Sequence, residues 1–258
     1  MGRFLTPIFF ISIFSFLLTA CTYQDCPPAC AEADLRGWSK PAFDLSGVDL
    51  RGANLAEVEW GGPLQEGVNL RGANLSNADL TAADLTGADL SEADLRGANL
   101  VGTKLRGVLL IDTQIDDTTL LDSKWRLVWQ LVNQGGAGQN LGGVDLSGAN
   151  LWGVDLRGAD LSQARLDWAN LQQADLAGAN LSGAQLNWAD LRQANLTQAD
   201  LSEAGLKWAD FRAANLTAVN LTRADARGAW FTQAAIEGIN LQDTWLSGAI
   251  KPDGARFQ

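Results

Sequence analysis

A repeat of five residues constrains this chain more than any other feature of its sequence. From residue 33 onward, the central member of most units is Leu, the residue two positions earlier is small and apolar, and the residue between them is usually Asp or Asn. This period matches neither the α-helix nor the alternation of a long strand. It fits three extended residues followed by two that turn the chain, because the first and third side chains of an extended triplet point the same way. The small residue and the Leu therefore face inward, and the Asp or Asn faces outward.

The repeat runs in two stretches. In the first, the central residues are Leu45, Leu50, Leu55, Leu70, Leu75, Leu80, Leu85, Leu90, Leu95, Leu100 and Leu105. In the second, which runs from Leu141 to Leu246, the central place is also taken by Phe211, Ala226, Phe231 and Ile236. Glycine is frequent in the turning part of the unit, as at Gly52 and Gly72, which suits a tight corner.

This pattern resembles the pentapeptide-repeat family, and the resemblance covers residues 33 to about 251. It implies an all-β fold, a right-handed quadrilateral β-helix with four units in each coil. A coil of twenty residues has independent support, because Trp168, Trp188 and Trp208 recur at that interval, as do Arg51 and Arg71. One coil buries little by itself, so stability should grow with stacking, and the ends should need caps.

Breaks in the repeat divide the chain into a first repeat segment (33–121), an inserted element (122–140), a second repeat segment (141–251) and a tail (252–258) that reads as a simple terminus. Lys40 and Gln65 occupy central positions, with Trp60 and Pro63 nearby, so residues 38–65 are interpreted as an irregular amino-terminal cap region. Leu120 and Leu141 are one residue further apart than four units, which indicates a slip in phase.

The inserted element is predicted to be an α-helix followed by a Gly-rich loop. Asp122 is suited to begin it, and Gly135 and Gly136 are suited to end it. Its apolar face would come from Trp125, Val128, Trp129 and Val132. We expect the helix to lay its two Trp over an exposed end or flank of the first segment. The alternative is a helix that binds a partner in a groove.

The first twenty residues have the character of an export signal, with Arg3 before an apolar run from Phe4 to Leu18. The run is short for a bilayer span, which takes about 20 apolar residues. Residues 18–21, with the sequence Leu-Thr-Ala-Cys, resemble a bacterial lipobox. That resemblance implies removal of residues 1–20 and lipidation of Cys21, with 21–32 as a lipidated tether. Several acyl chains would hold the protein firmly where one would not. The alternative is cleavage elsewhere, with Cys21 an ordinary thiol.

The two remaining cysteines, Cys26 and Cys30, would reach an oxidising compartment if the chain is exported, so a small disulfide loop is predicted there. Two free thiols are the alternative. No metal site is expected, since two thiols without any His do not complete four ligands.

The most specific local feature is the set Trp168, Trp188 and Trp208, predicted to form an exposed column that could contact a partner. A ladder that only stiffens the fold is the alternative reading. The many Asp alternate with Asn at one repeat position, as Asp190 does with Asn170, which a catalytic carboxylate would not permit. No His, phosphate loop or nucleophile triad can be assembled. We therefore predict a protein that is not an enzyme and needs no cofactor.

Together these features predict an exported, lipid-anchored scaffold or binding module of the bacterial cell envelope, on the periplasmic or outer face. The membrane would be contacted through the lipid on Cys21, and an unknown protein or polysaccharide would be the partner. Thr22 after the lipidated Cys somewhat favours the outer membrane. A net charge of −11 argues against binding nucleic acid. The alternative, implied by the family, is an acidic solenoid that imitates DNA and acts on a DNA-binding enzyme such as gyrase.

Overall fold

A computed structural model describes residues 30–37, 44–62 and 67–257. The signal sequence, Cys21, Thr22, Cys26, Lys40, Pro63 and Gln65 lie outside the described residues. The fold is a β-helix in two segments with one inserted α-helix, as predicted. Each side of a coil contributes one bridging residue, which pairs in parallel with the coils before and after it. The described residues therefore form isolated bridges and not strands of several residues. No helix among the described residues is long and apolar enough to span a bilayer.

Backbone hydrogen bonds join each coil to its neighbours. On a representative side, the N–H groups of Leu191 and Gln193 donate to carbonyls of the next coil, at Asp210 (2.8 Å) and Arg212 (3.0 Å). The N–H of Asp190 donates in the other direction, to Ala169 of the previous coil (2.9 Å). The corner is closed by a bond from the N–H of a small residue to the central carbonyl three positions earlier. Four of the five backbone N–H groups of a regular unit are thus bonded to backbone carbonyls without long strands.

The core is a stack of inward Leu and Ala side chains that continues from the first segment into the second. Most of these residues have no exposed surface at all, as in Leu80, Leu161 and Ala164. Burying one Leu contributes about 1.5–3 kcal/mol, and each Leu is covered only because coils lie above and below it. The predicted orientation of the small residue and the Leu is therefore confirmed.

The outward Asp and Asn residues also fasten the corners, a role that the sequence reading did not include. The side-chain Oδ1 of each accepts the backbone N–H two residues later, as Asp160 does from Ser162 (3.0 Å) and Asn195 from Thr197 (3.2 Å). In addition, the amide of Asn180 donates to Asp160 in the coil before it (3.1 Å). Alternation of Asp with Asn along a side therefore replaces repulsion between stacked carboxylates with a hydrogen bond.

The irregular start of the first segment has a simple geometric cause. Bridging partners are 25 residues apart from Asp44–Asn69 to Glu59–Asp84, and 20 apart from Asn69–Asp89 to Asp94–Gln114. The spacing changes between Glu59 and Asn69, where the N–H of Val68 donates to the carbonyl of Trp60 (3.2 Å). Trp60 occupies the central position itself and is fully buried.

The phase slip lies one corner earlier than the sequence suggested. Asn99 pairs with Leu120, 21 residues on, because Asp116 adds a residue to the corner. Its carboxylate accepts N–H bonds from Thr118, Thr119 and Gly97. The Thr118 hydroxyl donates to it as well, and together these bonds lower the pKa of Asp116 to about 2. Leu120 consequently faces solvent instead of the core, and reading it as a central residue was wrong.

The inserted helix, α1 (Ser123–Gln134), joins the two segments. It buries Trp125, Val128 and Leu131, with Trp129 and Val132 partly buried against the core. Leu131 was absent from the predicted apolar face. Asp122 precedes the helix without a side-chain cap bond, so its predicted capping interaction is not formed.

Side chains of α1 make the hydrogen bonds that a following coil would otherwise make to the backbone of residues 110–113. The Asn133 amide donates to the carbonyl of Leu110 (2.9 Å) and accepts the N–H of Asp112 (2.7 Å). The Trp129 indole donates to the carbonyl of Thr113 (2.7 Å). On another side the segments meet directly, since the N–H of Gly107 donates to the carbonyl of Gly148 (2.8 Å). The helix is thus a wedge between segments that share one core.

The last residues are folded against the final coil, contrary to the reading of a simple terminus. Arg256 pairs with Ile250 in an antiparallel bridge, and the N–H of Phe257 donates to the carbonyl of Ala249 (2.9 Å). The ring of Phe257 packs edge-on against Phe231, with 6.3 Å between centroids. The tail covers part of the open end of the core.

Candidate interaction surface

The three predicted Trp form a stacked column at one corner of the second segment. Ring centroids of Trp168 and Trp188 are 5.1 Å apart with planes 6° from parallel, and those of Trp188 and Trp208 are 5.4 Å apart at 13°. About half of each residue is exposed. All three lie at the left-handed corner position, with φ of 62°, 61° and 59°. Bulky residues rarely adopt that conformation, and the stacked contacts offset part of its cost here.

Both ends of the column are closed. The guanidinium of Arg106, from the first segment, lies 5.1 Å from the Trp168 ring centroid. It reaches there across Gly148, where a Cβ would come within 2.8 Å of the Arg106 side chain. At the other end, a Cβ at Gly228 would come within 2.7 Å of the Trp208 ring. The ring faces are thus occupied by neighbours, and the exposed part of the column consists of ring edges.

Three further exposed Trp were missed in the sequence reading, namely Trp152, Trp230 and Trp245. Trp230 and Trp245 replace Asp or Asn at the outward position of their units, and this substitution was a readable signal. Trp152 occupies a corner. Arg212 lies over Trp230 (4.9 Å to the centroid) and Arg227 over Trp245 (5.4 Å).

Five of the six exposed Trp frame one side of the second segment, which we call the Trp face. Its outward residues, in successive coils, are Asn150, Asn170, Asp190, Asp210, Trp230 and Ile250. The Trp column lies along the corner before this side, and Trp152 lies on the corner after it. The opposite side, called the Asn/Asp face, has the outward residues Asn140, Asp160, Asn180, Asp200, Asn220 and Asn240.

Acidic and basic side chains are paired along the Trp face. Arg192 and Arg212 make close ion pairs with Asp190 (2.7 Å) and Asp210 (2.6 Å). On the adjoining corner, Arg227 pairs with Asp225 (2.7 Å), and this hydrogen bond lowers the pKa of the Asp225 carboxyl. Asp190, Asp210 and Asp225 are therefore neutralised locally.

The remaining predicted site residues are placed only in part. Cys30 is buried in the first coil, whereas Cys21 and Cys26 lie outside the described residues. Within the described parts of the chain, no three His, Cys, Asp or Glu residues are grouped so that they could hold a metal ion. A cleft of about 400 Å³ beside the end of α1 is lined by Asn133, Gly135, Gln139 and Asp155 among others, with no catalytic grouping.

Comparisons with known proteins agree with the repeat. The family model described as pentapeptide repeats matches eight copies, over residues 73–112, 88–120, 140–178, 179–217, 199–238 and 214–250. No curated protein matches the sequence.

Several solved structures are similar. HetL, a pentapeptide-repeat protein involved in heterocyst differentiation regulation from the cyanobacterium Nostoc sp. strain PCC 7120, is 31% identical. The match covers 88% of this chain and 92% of HetL, with a TM-score of 0.30. Rfr23 from the cyanobacterium Cyanothece 51142 is 28% identical over 47% of this chain and 89% of its own, with a TM-score of 0.32. QnrB1, a plasmid-mediated fluoroquinolone resistance protein, is 15% identical over 85% and 91% of the two chains, with a TM-score of 0.26.

The repeat model covers more than half of the sequence. It agrees with the inward Leu and the outward Asp and Asn described above. The chain therefore belongs to the pentapeptide-repeat family.

Proposed function

We propose that this protein is a lipid-anchored scaffold of the bacterial cell envelope that holds a protein partner on its β-helix. The anchor is proposed from the Leu-Thr-Ala-Cys sequence that ends at Cys21 after an apolar run. Acyl chains on Cys21 would keep the chain at a membrane, and Thr22 favours the outer one in a cell that has two. Export of the chain would put the partner on the periplasmic or outer face.

The observation that carries the scaffold proposal is the regularity of the Asn/Asp face. Bridging partners along it keep a spacing of 20 residues from Asn140 to Asn240. Amide-to-carboxylate bonds link successive coils, as from Asn220 to Asp200 (2.9 Å). A surface fixed in this way loses little conformational entropy on binding, so it suits recognition of a folded protein.

The corner beside the Asn/Asp face offers a direct test of this proposal. Ser182 and Ser202 are small, partly exposed residues in successive coils of that corner. A photo-crosslinking amino acid at Asn180 or Asn220 should capture the same envelope protein from living cells. Adding Ser182→Arg and Ser202→Arg should abolish capture, because two long side chains would block the face. Gln173→Arg and Gln193→Arg, on a corner of the Trp face, should leave it unchanged.

Three results would contradict the scaffold proposal. These are the absence of a discrete crosslinked protein, equal loss of capture in the Gln variants, and a crosslinked product that resists protease because it is a polysaccharide. The anchor is tested separately by the mass of the amino-terminal peptide, which should begin at Cys21 and carry acyl groups. An unmodified Cys21 would remove the anchor from the proposal and leave the scaffold in place.

The charge pattern gives little support to the DNA-mimic alternative. Such mimicry calls for rows of unpaired negative charge. In this chain Asp155, Asp190 and Asp210 each pair with an Arg, and Asp160 and Asp200 alternate with Asn along their face.

A further inference from the structure

The exposed Trp residues are concentrated on one side of the molecule. The large apolar residues with strongly exposed surface are Val101, Leu120 and the six Trp at 152, 168, 188, 208, 230 and 245. Leu109 and Ile250, at outward positions of this same side, are partly exposed. Exposed apolar patches of this kind mark interaction sites. We propose that the Trp face docks flat on the headgroup region of a phospholipid bilayer.

The ring geometry favours a bilayer over a polysaccharide. Sugars stack on open aromatic faces, but the faces in the Trp column are covered by one another, by Arg106 and by Gly228. What remains exposed is a row of ring edges. Among the described residues, none of these six indole N–H groups donates to a protein acceptor. An amphipathic edge with a free donor suits the interface, where Trp is enriched and lipid carbonyl and phosphate oxygens accept hydrogen bonds.

The charge distribution points the same way. In the second segment, up to residue 250, the Trp face and its two corners carry four cationic side chains, Arg192, Lys207, Arg212 and Arg227, against the three acids Asp167, Asp190 and Asp210. The Asn/Asp face and its corners carry the reverse excess, with Asp160, Asp200, Glu203, Glu237 and Asp243 against Arg157 and Arg223. In a chain of net charge −11, the Trp face is therefore the less acidic of the two sides, and anionic headgroups would repel it less than they would repel the Asn/Asp face.

The dimensions of the face suit a flat contact. Its Trp residues extend over coils from residue 152 to residue 230, about 4.8 Å apart per coil. Docking this side would direct the Asn/Asp face away from the membrane, toward a partner. The contact is argued from the described residues alone and does not depend on acylation of Cys21, although such an anchor would bring the face to the bilayer.

Vesicle binding of a chain that begins at Thr22 tests the proposal, because it lacks both the apolar leader and the lipid. The described core lies within residues 30–257, so the fold should be retained. We expect it to sediment with vesicles of phosphatidylethanolamine and phosphatidylglycerol, with a blue shift of Trp fluorescence and quenching by brominated lipid. Replacing Trp152, Trp168, Trp188 and Trp208 with Gln and Trp230 with Asn should lower the partition coefficient about tenfold or more.

Two companion variants make the result interpretable. Trp152→Gln with Trp230→Asn leaves the stacked column intact, so it should weaken binding severalfold even if the larger variant unfolds. Val101→Gln with Leu120→Asn removes exposed apolar surface from the side that continues the Asn/Asp face, and it should bind like the parent chain. No binding by the folded parent, equal loss in the Val101 and Leu120 variant, or capture by cell-wall polysaccharide or an envelope protein through the same Trp would overturn the proposal.

Discussion

One residue in each unit must take a left-handed backbone conformation, and this requirement decides what the corners can hold. Glycine fills the position in many units, but Gln, Glu, Ala and Trp also occur there with φ near +60°. A residue with a side chain pays roughly 1–2 kcal/mol in that conformation. Stacked aromatic pairs contribute about 0.5–1.5 kcal/mol each beyond area burial, so the two pairs of the column offset part of the strain at its three corners.

Replacing Trp188, the middle ring of the column, should show how much the stacked contacts contribute to stability. Trp188→Gln removes both stacked contacts while keeping a residue type that tolerates the corner, as Gln193 does. We expect the free energy of unfolding to fall by about 1–2 kcal/mol, measured by denaturant titration.

Trp152→Gln is the matched control, because Trp152 is similarly exposed and its ring stacks on no other described residue. It should change stability by less than about 0.5 kcal/mol. Equal effects of the two substitutions would mean that stacking contributes nothing.

A second prediction at this scale concerns the Asp155–Arg157 pair. The Arg157 guanidinium donates two hydrogen bonds to the carboxylate (2.9 and 2.6 Å) and lowers the pKa of Asp155 from 3.8 to about 2. Because the folded-state pKa is depressed, the stabilisation is present above about pH 4 and is lost as the pH falls toward 2. Arg157→Gln should return the pKa of Asp155 part of the way to 3.8 in a carboxyl NMR titration.

Arg165→Gln removes an equivalent charge that contacts no acid among the described residues, and it should leave the pKa of Asp155 within a few tenths of its original value. An unchanged pKa in Arg157→Gln would show that the backbone N–H bond alone holds the carboxylate in its ionised form.

At this scale the sequence predicted the inward and outward residues and the Trp column, because strict repetition puts equivalent residues above one another. It did not predict the corner bonds of Asp and Asn, since a residue facing outward was expected to face only water. Arg106 over Trp168 could not be found either, because the contact joins different segments across the phase slip.

Among the elements, α1 is the one that departs from the repeat, and it supplies hydrogen bonds where a coil is missing. Leu131 enters the space that a central Leu would fill. A Cβ on the following Gly136 would lie only 2.7 Å from its Cδ2. Periodicity predicted a helix and most of its apolar face. Which side chain would fill the core depended on where α1 lies between the two segments, and the spacing of apolar residues carries no information about that position.

Asn133 is the residue of α1 whose loss should be most specific. Asn133→Leu leaves the carbonyl of Leu110 and the N–H of Asp112 without these partners, so we expect a loss of about 1–3 kcal/mol. Hydrogen exchange of the Asp112 amide should accelerate, because that amide would open to solvent.

Gln134→Leu is the same kind of substitution at the exposed end of the helix, and it should leave exchange at Asp112 unchanged. If Asn133→Leu behaved in the same way, the helix would be packed on the coil without completing its hydrogen bonds.

For the whole molecule, stability should be the sum of coils and of contacts between neighbouring coils, with the ends opening first. Phe257 covers Phe231 at the carboxyl end. Phe257→Ala should therefore accelerate hydrogen exchange in residues 231–250 severalfold while leaving residues 160–200 unchanged.

Arg256→Ala alters the neighbouring side chain without touching the ring contact, so its exchange should match the parent protein. Uniform acceleration along the chain after Phe257→Ala would indicate that the β-helix unfolds in one step, without independent opening of the end.

The large-scale architecture was readable because each unit repeats the same local rule: the family resemblance implied a coil of twenty, and the spacing of Trp168, Trp188 and Trp208 supported it. The 25-residue coil at the start was anticipated only as an irregular region, since the sequence does not say which corner takes the extra residues. The direct meeting of the segments at Gly107 and Gly148 arises from tertiary stacking alone.

The direction of the hydrogen bonds between coils gives the molecule an electrical axis. On each regular side, two N–H groups point toward the carboxyl end for every one that points back, as Leu191, Gln193 and Asp190 show. Peptide dipoles in such a stack do not cancel, unlike those of an ordinary sheet, so partial positive charge should accumulate at the carboxyl end. This polarity is opposite to that of an α-helix, and it grows with every coil added.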